Sequence, residues 1–444
     1  MAKVFPFRAL RYNPSKVTLA EVVTQPYDKI TPEMQDRYYA ASPYNLVRVI
    51  LGKPQAGDNE RESVYTRAAA CVQQWRTEHV LVPDAEPSIY LYTQTFRVPG
   101  DSSAVSAERR GFIALGQVED YDQKVVFRHE QTLSKPKADR LNLLRATQSH
   151  FGQIFMLYSD PAAEIDAALR QSGPPTAEVR DEYDVQHRMW KISDPGVIQA
   201  VQAKMADKKL IIADGHHRYE TALKYRNEMR KQAGGKLGGP YERVMMTFVN
   251  MDSPGLVVLP THRVVFGLEH FSIFQMVGKL QANFEVEDLG PLTEVEAALE
   301  TLRQAGRDRT ALLAVTAHGG FLLRSRPGIK WNGATSLSER QRALDVVQLH
   351  KLVLEGALGL SEEDIREQKH LKYQRDAREA INDVGRGANV AFLMNPVRMG
   401  QVRDIAFGGE VLPQKSTDFY PKLLSGLVAY SLEDSAPISP AGGH

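Results

Sequence analysis

The stretch KLIIADGHHRYETALKY, Lys209 to Tyr225, joins an apolar run to an acid, a glycine, two histidines and an arginine, and then turns helical in its spacing. Residues 209–213 are apolar enough for a buried strand, and Tyr219, Ala222, Leu223 and Met229 recur so that they can share one helix face. The polar cluster is therefore predicted where a strand ends and a helix begins. At such a junction Gly215 can adopt backbone conformations closed to other residues, and the first helical N–H groups are unpaired and point outward. That geometry attracts anions, and Arg218 adds a planar fork matched to phosphate or carboxylate oxygens in the favourable field of the helix dipole. Gly215, His216, His217 and Arg218 are accordingly phosphate-binding candidates; the adjacent histidines point in different directions, so only one need face a ligand. Asp214 repels phosphate unless it acts as a general base, a metal ligand or an N-cap. Asp214 and His216 are thus the catalytic candidates of this segment, and Asp214 is the candidate for metal. The plainer alternative is a capping aspartate, a turn glycine and ordinary surface hydrogen bonds.

With 444 residues the chain is long enough for two or three domains, and 43% hydrophobic content is ordinary for a globular protein with a real core. Acids and bases nearly cancel, to a formal charge of +1, so no long-range field draws the whole molecule to nucleic acid or an anionic membrane. DNA is disfavoured as a partner. Cys71 is the single cysteine, which excludes an intrachain disulfide or a thiolate metal cage and fits a reducing cytoplasm. Neither a signal peptide in MAKVFPFRALRYNP nor a run of membrane-spanning length is expected.

Along the chain the spacing predicts an α+β protein. TQPYDKITPEM reads as a proline turn followed by a helix with Thr31 as N-cap and Pro32 at its first position. YNLVRVILG reads as a strand, residues 60–78 as a helix, and SIYLYTQTFRV with ERRGFIALGQV as a strand pair. Further strands are expected near Val125, in IFMLYSD, RMWKISDP, YERVMMTFVNMD and VAFLMNPV, with helices at 139–148, GVIQAVQAKMADK, LTEVEAALETLRQAG and LDVVQLHKLVLEGALG. TALLAVTAHGGFLLRSR should be a hairpin, and Ser361 with Asp364 a capping box. A soft boundary near Pro260 divides residues 1–259 from a second α+β region at 260–435, with a disordered tail at 436–444.

Two more segments offer site residues. RHEQTLSKPKADR places Arg128, His129, Glu130 and Lys137 in a short loop-to-helix stretch, a density suited to a phosphorylated ligand but also to a solvated, internally paired face. Glu130 is the catalytic candidate there, and Arg128, His129 and Lys137 are phosphate candidates. PQKSTDFYPK adds Lys415, Ser416 and Thr417 as phosphate candidates, or else a turn pinned to the core. In QPYDK, Asp28 could be a base, a metal ligand or a turn carboxylate. The H-E-x-x-H spacing, G-x-x-x-x-G-K-[ST] and G-x-G-x-x-G are all missing, which disfavours a dedicated transition-metal site, a P-loop and a Rossmann reading. Magnesium carried in with a phosphate fits better, since it binds through few carboxylates and keeps its waters.

FPFRALRYNP, TQPYDKI, SPYNLVRV, RHEQTLSKPKADR, IADGHHRYETAL and PQKSTDFYPKLLSGLV, in this order, resemble the family known as domain of unknown function ten-fifteen along its whole length. The D-G-H-H-R segment also resembles the D-G-H-T-R motif of the ParB and sulfiredoxin-like fold, whose members include free-serine kinases using ADP and partition proteins binding CTP. That resemblance implies a ParB/sulfiredoxin-like core, phosphate-facing roles for Gly215, His216 and Arg218, and a place near the transfer site for Asp214. His217 stands where the kinases have threonine.

Three functions follow as expectations. One is phosphoryl transfer from a nucleotide, ADP or ATP with Mg2+, to a small hydroxyl-bearing metabolite, for which the resemblance implies serine. Another is a nucleotide-binding regulatory protein without phosphotransfer, and the last a phosphate-ester hydrolase using water at the same anion site.

Overall fold

The computed structural model describes residues 1–100, 105–130, 135–171, 173–292, 294–329, 331 and 337–434. The tail expected at 436–444 lies outside them, as do residues 131–134 of RHEQTLSKPKADR. The chain forms two compact units, one of residues 1–128, 132–257 and 420–444, the other of residues 129–131 and 258–419. The sequence reading kept 260–435 in one region; the chain from Tyr420 onward instead groups with the first unit.

The first unit is built on a nine-stranded mixed sheet. Its order runs Val126–Phe127, Leu210–Asp214, Ile154–Tyr158, Arg243–Asn250, Ala107–Gln117, Ile89–Phe96, Gln186–Ile192 and Ala177–Arg180, with Val4–Phe5 also paired to Ala107–Gln117. Leu210–Asp214 lies parallel to Val126–Phe127 and antiparallel to Ile154–Tyr158, with a register shift between Ile212 and Asp214. Leu210, Ile211, Ile212 and Ala213 are all buried, which is why the segment reads as a continuous apolar run rather than an alternating one. Tyr219 and Ala222 of the following helix, His216–Gln232, bury against the same core as Ile212, Met156 and Phe248. Lys135–Thr147 and Pro195–Met205 are the further helices expected here.

Thr31 caps the helix Pro32–Ala41, its side chain accepting from Met34 N at 3.3 Å. YNLVRVILG is a correction. Its β-branched residues suggested a strand, but Val47–Ile50 is a short helix. Asn45 Oδ1 accepts from Val47 N at 2.9 Å, and the turn sinks Val49 and Ile50 into a cluster with Trp75 and Leu10. Burial on several sides overrides strand propensity in so short a segment.

The second unit carries a six-stranded antiparallel sheet in the order Phe284–Gly290, Gly319–Ser325, Ala311–Thr316, Val390–Met394, His262–Val265 and Leu371–Gln374. Val295–Ala305 and Ala377–Gly385 cover it through Ala298, Leu302, Ala380 and Val384. The helix expected over LDVVQLHKLVLEGALG begins as an α-turn and continues as a π-helix at Leu349–Ala357. Ser361 and Asp364 form the capping box. Mixed helices and sheets in both units make the protein α+β, and among the described residues no helix is long and apolar enough to cross a membrane.

Candidate functional site

Strand Leu210–Asp214 stops because Gly215 turns left-handed, at φ 90° and ψ 27°, and the helix starts at His216. A side chain at 215 would be strained by that φ and would also press on Arg218 Nε at 2.9 Å. Gly152, on the far side, likewise leaves room for the arginine: a Cβ there would meet Arg218 Nη1 at 3.1 Å. Arg218 therefore folds back over the helix start instead of reaching into solvent, and Nη1 donates to the Gln153 carbonyl. His217 belongs to the same turn, its carbonyl accepting from Thr221 Oγ1 at 2.7 Å.

Asp214 is half-buried at the strand's end. Its Oδ1 accepts from Gly215 N at 2.8 Å, while Oδ2 lies 3.5 Å from Lys422 Nζ and 3.9 Å from Arg218 Nη2. These pairs are longer than closed ion pairs of the same unit, such as Arg11 with Asp84 at 2.6 Å and Arg226 with Asp120 at 2.7 Å. Oδ2 thus faces two cations, at 3.5 and 3.9 Å. A third cation, Arg109, stands behind them, 1% exposed, with its guanidinium 4.6 Å from the Phe155 ring centre. It donates to Gln94 Oε1 at 3.0 Å and to the carbonyls of Tyr420 and Pro421, all neutral oxygens. Burial pulls its pKa down to about 10, against the pull of Tyr92 and Asp214. The result is a positive field around one carboxylate in a partly desolvated place.

Beside Arg218 a cleft is lined by Tyr27, Arg140, Gly152, Thr221 and Ser425 among others. Tyr27, from the QPYDK turn, lies under the Arg140 guanidinium at 4.1 Å. Its phenol is pushed up by burial and then by Asp28, with Arg140 and Arg218 acting the other way. Asp28 itself is exposed on the short turn Tyr27–Lys29.

The remaining candidates fall into two places. Lys137 pairs with Glu220, one turn into the motif's helix, and Arg128 sits 5.4 Å over the Tyr121 ring, whose phenol burial raises, then Glu220, while Arg128 opposes. His129 and Glu130 belong to the second unit, where RHEQT and PQKST meet. There His129 Nε2 bonds Thr417 Oγ1 at 2.8 Å, Glu130 Oε1 accepts from Lys415 N at 2.5 Å, and Ser416 Oγ donates to Pro413 O at 2.6 Å. Lys415 turns at φ 55°, and its carbonyl accepts from buried Arg263 at 3.1 Å. Those contacts knit a turn to its own sheet. Among the described residues no cluster of three or more His, Cys, Asp or Glu side chains could hold a metal by itself.

Sequence reasoning missed Arg109 and Lys422. Arg109 had a signal: it is in phase with Ile113 and Leu115 along its strand, a charge on a face those two residues also bury. Lys422 had none, because nothing in PQKSTDFYPK distinguishes it from Lys415.

Buried histidines, His150, His262 and His350, are expected to make the fold acid-sensitive. Burial lowers His150 from 6.5 to about 4, and burial followed by Arg263 does the same to His262 of the second unit. A histidine held neutral in the fold takes up its proton more readily when unfolded. Stability is therefore lost as pH falls from about 6.5 to about 4, by about 1.4 kcal/mol per pH unit for each histidine. Calorimetric melting at about pH 7 and about pH 4.5 checks this, and a melting temperature unmoved across that interval would contradict it.

No curated protein matches the chain. Among solved structures, a conserved hypothetical protein from Pyrococcus furiosus is 14% identical over 70% of this chain and 93% of its own, with a TM-score of 0.35. A free serine kinase in complex with ADP is 14% identical over 70% of this chain and 90% of its own, with a TM-score of 0.36. SbnI with C-terminal truncation, from Staphylococcus aureus, is 12% identical over 71% of this chain and 86% of its own, with a TM-score of 0.31. The family model described as "Protein of unknown function (DUF1015)" matches residues 4–347, well over half of the chain, and the protein belongs to that family.

Proposed function

We propose that the protein transfers a phosphoryl group from a nucleotide, ADP or ATP, to the hydroxyl of a small metabolite, with serine as the acceptor to test first. The observation that carries the reading is the junction itself. Asp214 stands at the mouth of a helix N-terminus, Arg218 is folded across the same opening by two glycines, and Arg109 supplies buried positive charge from behind. Catalysis of phosphoryl transfer is mostly positioning plus electrostatic stabilisation, and this arrangement offers both. The resemblance of D-G-H-H-R to the D-G-H-T-R motif supports the same assignment, and a ParB/sulfiredoxin-like core around residues 201–229 is part of the proposal.

In this reading Gly215, His216 and the outward N–H groups of the first helical turn receive the nucleotide phosphates, and Arg218 holds their oxygens. The acceptor's hydroxyl oxygen forms a bond to phosphorus while the bond to the leaving phosphate breaks. Asp214 takes the hydroxyl proton. Asp214 is also the one carboxylate of the junction that could share a magnesium ion with the phosphates, an ion which, when bound, would neutralise developing charge. His129, Glu130, Lys415, Ser416 and Thr417 remain candidates in the second unit, where a phosphate role would compete with their contacts in the turn.

Arg218→Ala should weaken ADP binding by about 10–100-fold, since a charged hydrogen bond contributes about 1.5–3 kcal/mol. Titration calorimetry against the parent measures it; equal affinity would remove Arg218 from the site. Turnover is checked by phosphorus NMR of the parent with magnesium, each nucleotide and serine. A new phosphate ester supports transfer, free phosphate without acceptor supports hydrolysis, and tight binding with every nucleotide intact supports the regulatory reading.

A further inference from the structure

The segment Tyr420–Ser425 runs across the first unit's sheet, and its backbone is gripped almost residue by residue. Arg109 donates to Tyr420 O at 3.1 Å and to Pro421 O. Gln94 Nε2 donates to Lys422 O at 2.8 Å, and Gln153 Nε2 donates to Leu424 O at 3.2 Å. Leu424 N donates to the Tyr92 hydroxyl at 3.4 Å, and Ser425 exchanges backbone bonds with Thr24 at 2.9 and 3.0 Å. Tyr92 and Gln94 are two apart on one strand, so their side chains share a face.

Behind this grip lies a buried relay. Gln25 Nε2 donates to Asp181 Oδ2 at 2.9 Å, the same oxygen stands 3.1 Å from His187 Nε2, and His187 Nδ1 stands 2.6 Å from the Tyr92 hydroxyl. Burial pushes Asp181 up, yet His187, the Val185 N–H and Gln25 outweigh it and hold the carboxyl below its ordinary value. An ionised Asp181 fixes the proton on Nε2, which leaves Nδ1 to accept from the Tyr92 phenol. The phenol oxygen is then left as the acceptor for Leu424 N. Every donor in the series has its acceptor, and the series ends on the stretch that carries Lys422. Such buried polar networks cost desolvation and are rigid when satisfied. Here the rigidity is spent on one lysine, whose ammonium, on a side chain only 9% exposed, lies 3.5 Å from Asp214.

We propose that Lys422 is a phosphate-contacting residue of the Asp214 site, held in place by Tyr92, Gln94 and Arg109 with His187 and Asp181 behind them. This rests on the nucleotide-phosphate reading above. The ammonium lies 3.5 Å from Asp214 Oδ2, so a phosphate oxygen received beside that carboxylate comes within reach of it. Lys422 is a binding residue in this scheme, and the relay residues are positioning residues that act through it.

The test is calorimetric binding of ADP and of pyrophosphate to the full chain and five variants. Lys422→Met keeps the aliphatic length and should weaken both ligands by about 10-fold or more, whereas Lys422→Arg should stay within about three-fold. Tyr92→Phe should weaken binding on its own, but Tyr92→Phe combined with Lys422→Met should be no weaker than Lys422→Met alone, because a positioning residue has nothing left to position. Arg218→Ala serves as the reference. If Arg218→Ala loses affinity and Lys422→Met does not, Lys422 is outside the site while the nucleotide reading stands. Additive losses in the double variant overturn the relay's role, and a parent that binds neither probe overturns the reading and this inference together. Should Lys422→Met not fold, reductive methylation of the parent decides: ADP slows modification of Lys422, or the assignment falls.

Discussion

Replacing Asp214 by asparagine is expected to lower turnover by about 10²–10⁴-fold, the range lost when a positioned general base is removed, while nucleotide affinity stays within about three-fold. The amide oxygen can still accept from Gly215 N, at 2.8 Å in the parent, so the turn that presents the helix N-terminus is kept. What the amide cannot do is take the acceptor's proton. A split of this kind, with kcat lost and binding retained, is the signature of a group acting in the transition state. Steady-state kinetics with calorimetric affinities checks it, and a kcat within about ten-fold of the parent would move the base elsewhere, with His216 the next residue to test.

Ending the chain at Phe419 is expected to unfold the first unit. The deletion removes Leu423, Leu424, Leu427, Val428 and Tyr430, all buried. At about 1.5–3 kcal/mol for each large apolar side chain, roughly 7–15 kcal/mol of burial is lost, comparable to the whole stability of a typical domain. Gln94, Arg109 and Gln153 would also face missing backbone partners. Limited proteolysis and circular dichroism distinguish the outcomes. A truncated chain whose first unit resists protease and melts as the parent does would show the segment to be an accessory.

The strand-to-helix junction at Asp214 was legible in the sequence because two strong local signals meet there, a wholly apolar run and a helical recurrence of Tyr219 and Ala222. The capping residues Thr31 and Ser361 were legible for the same reason, since a cap is chemistry between near neighbours. Val47–Ile50 was misread because its propensity is local and its burial is not. The sheet order was hidden altogether: Leu210–Asp214 lies between Val126–Phe127 and Ile154–Tyr158, strands drawn from distant parts of the chain. The site divides along the same line. Asp214, Gly215 and Arg218 are neighbours in sequence and could be found together, whereas Arg109 and Lys422 reach them only through tertiary structure. Side chains at 129–130 and 415–417 were picked out for their chemistry, and the structure shows that they meet each other in the second unit.

Residues 420–434 leave the ribosome after every part of the first unit that they contact. At about 5–20 residues per second, some 20–80 s pass between the emergence of the earliest strands and the arrival of Lys422. Through that interval the backbone groups of Leu10 and Thr24, which bond Ala429 and Ser425 in the finished fold, have no native partner. Residues 258–419, by contrast, are all available before translation reaches Tyr420. The unit begun first is thus completed after the second is available, and a nascent chain paused between residues 218 and 420 carries the D-G-H-H-R motif without the lysine opposite it.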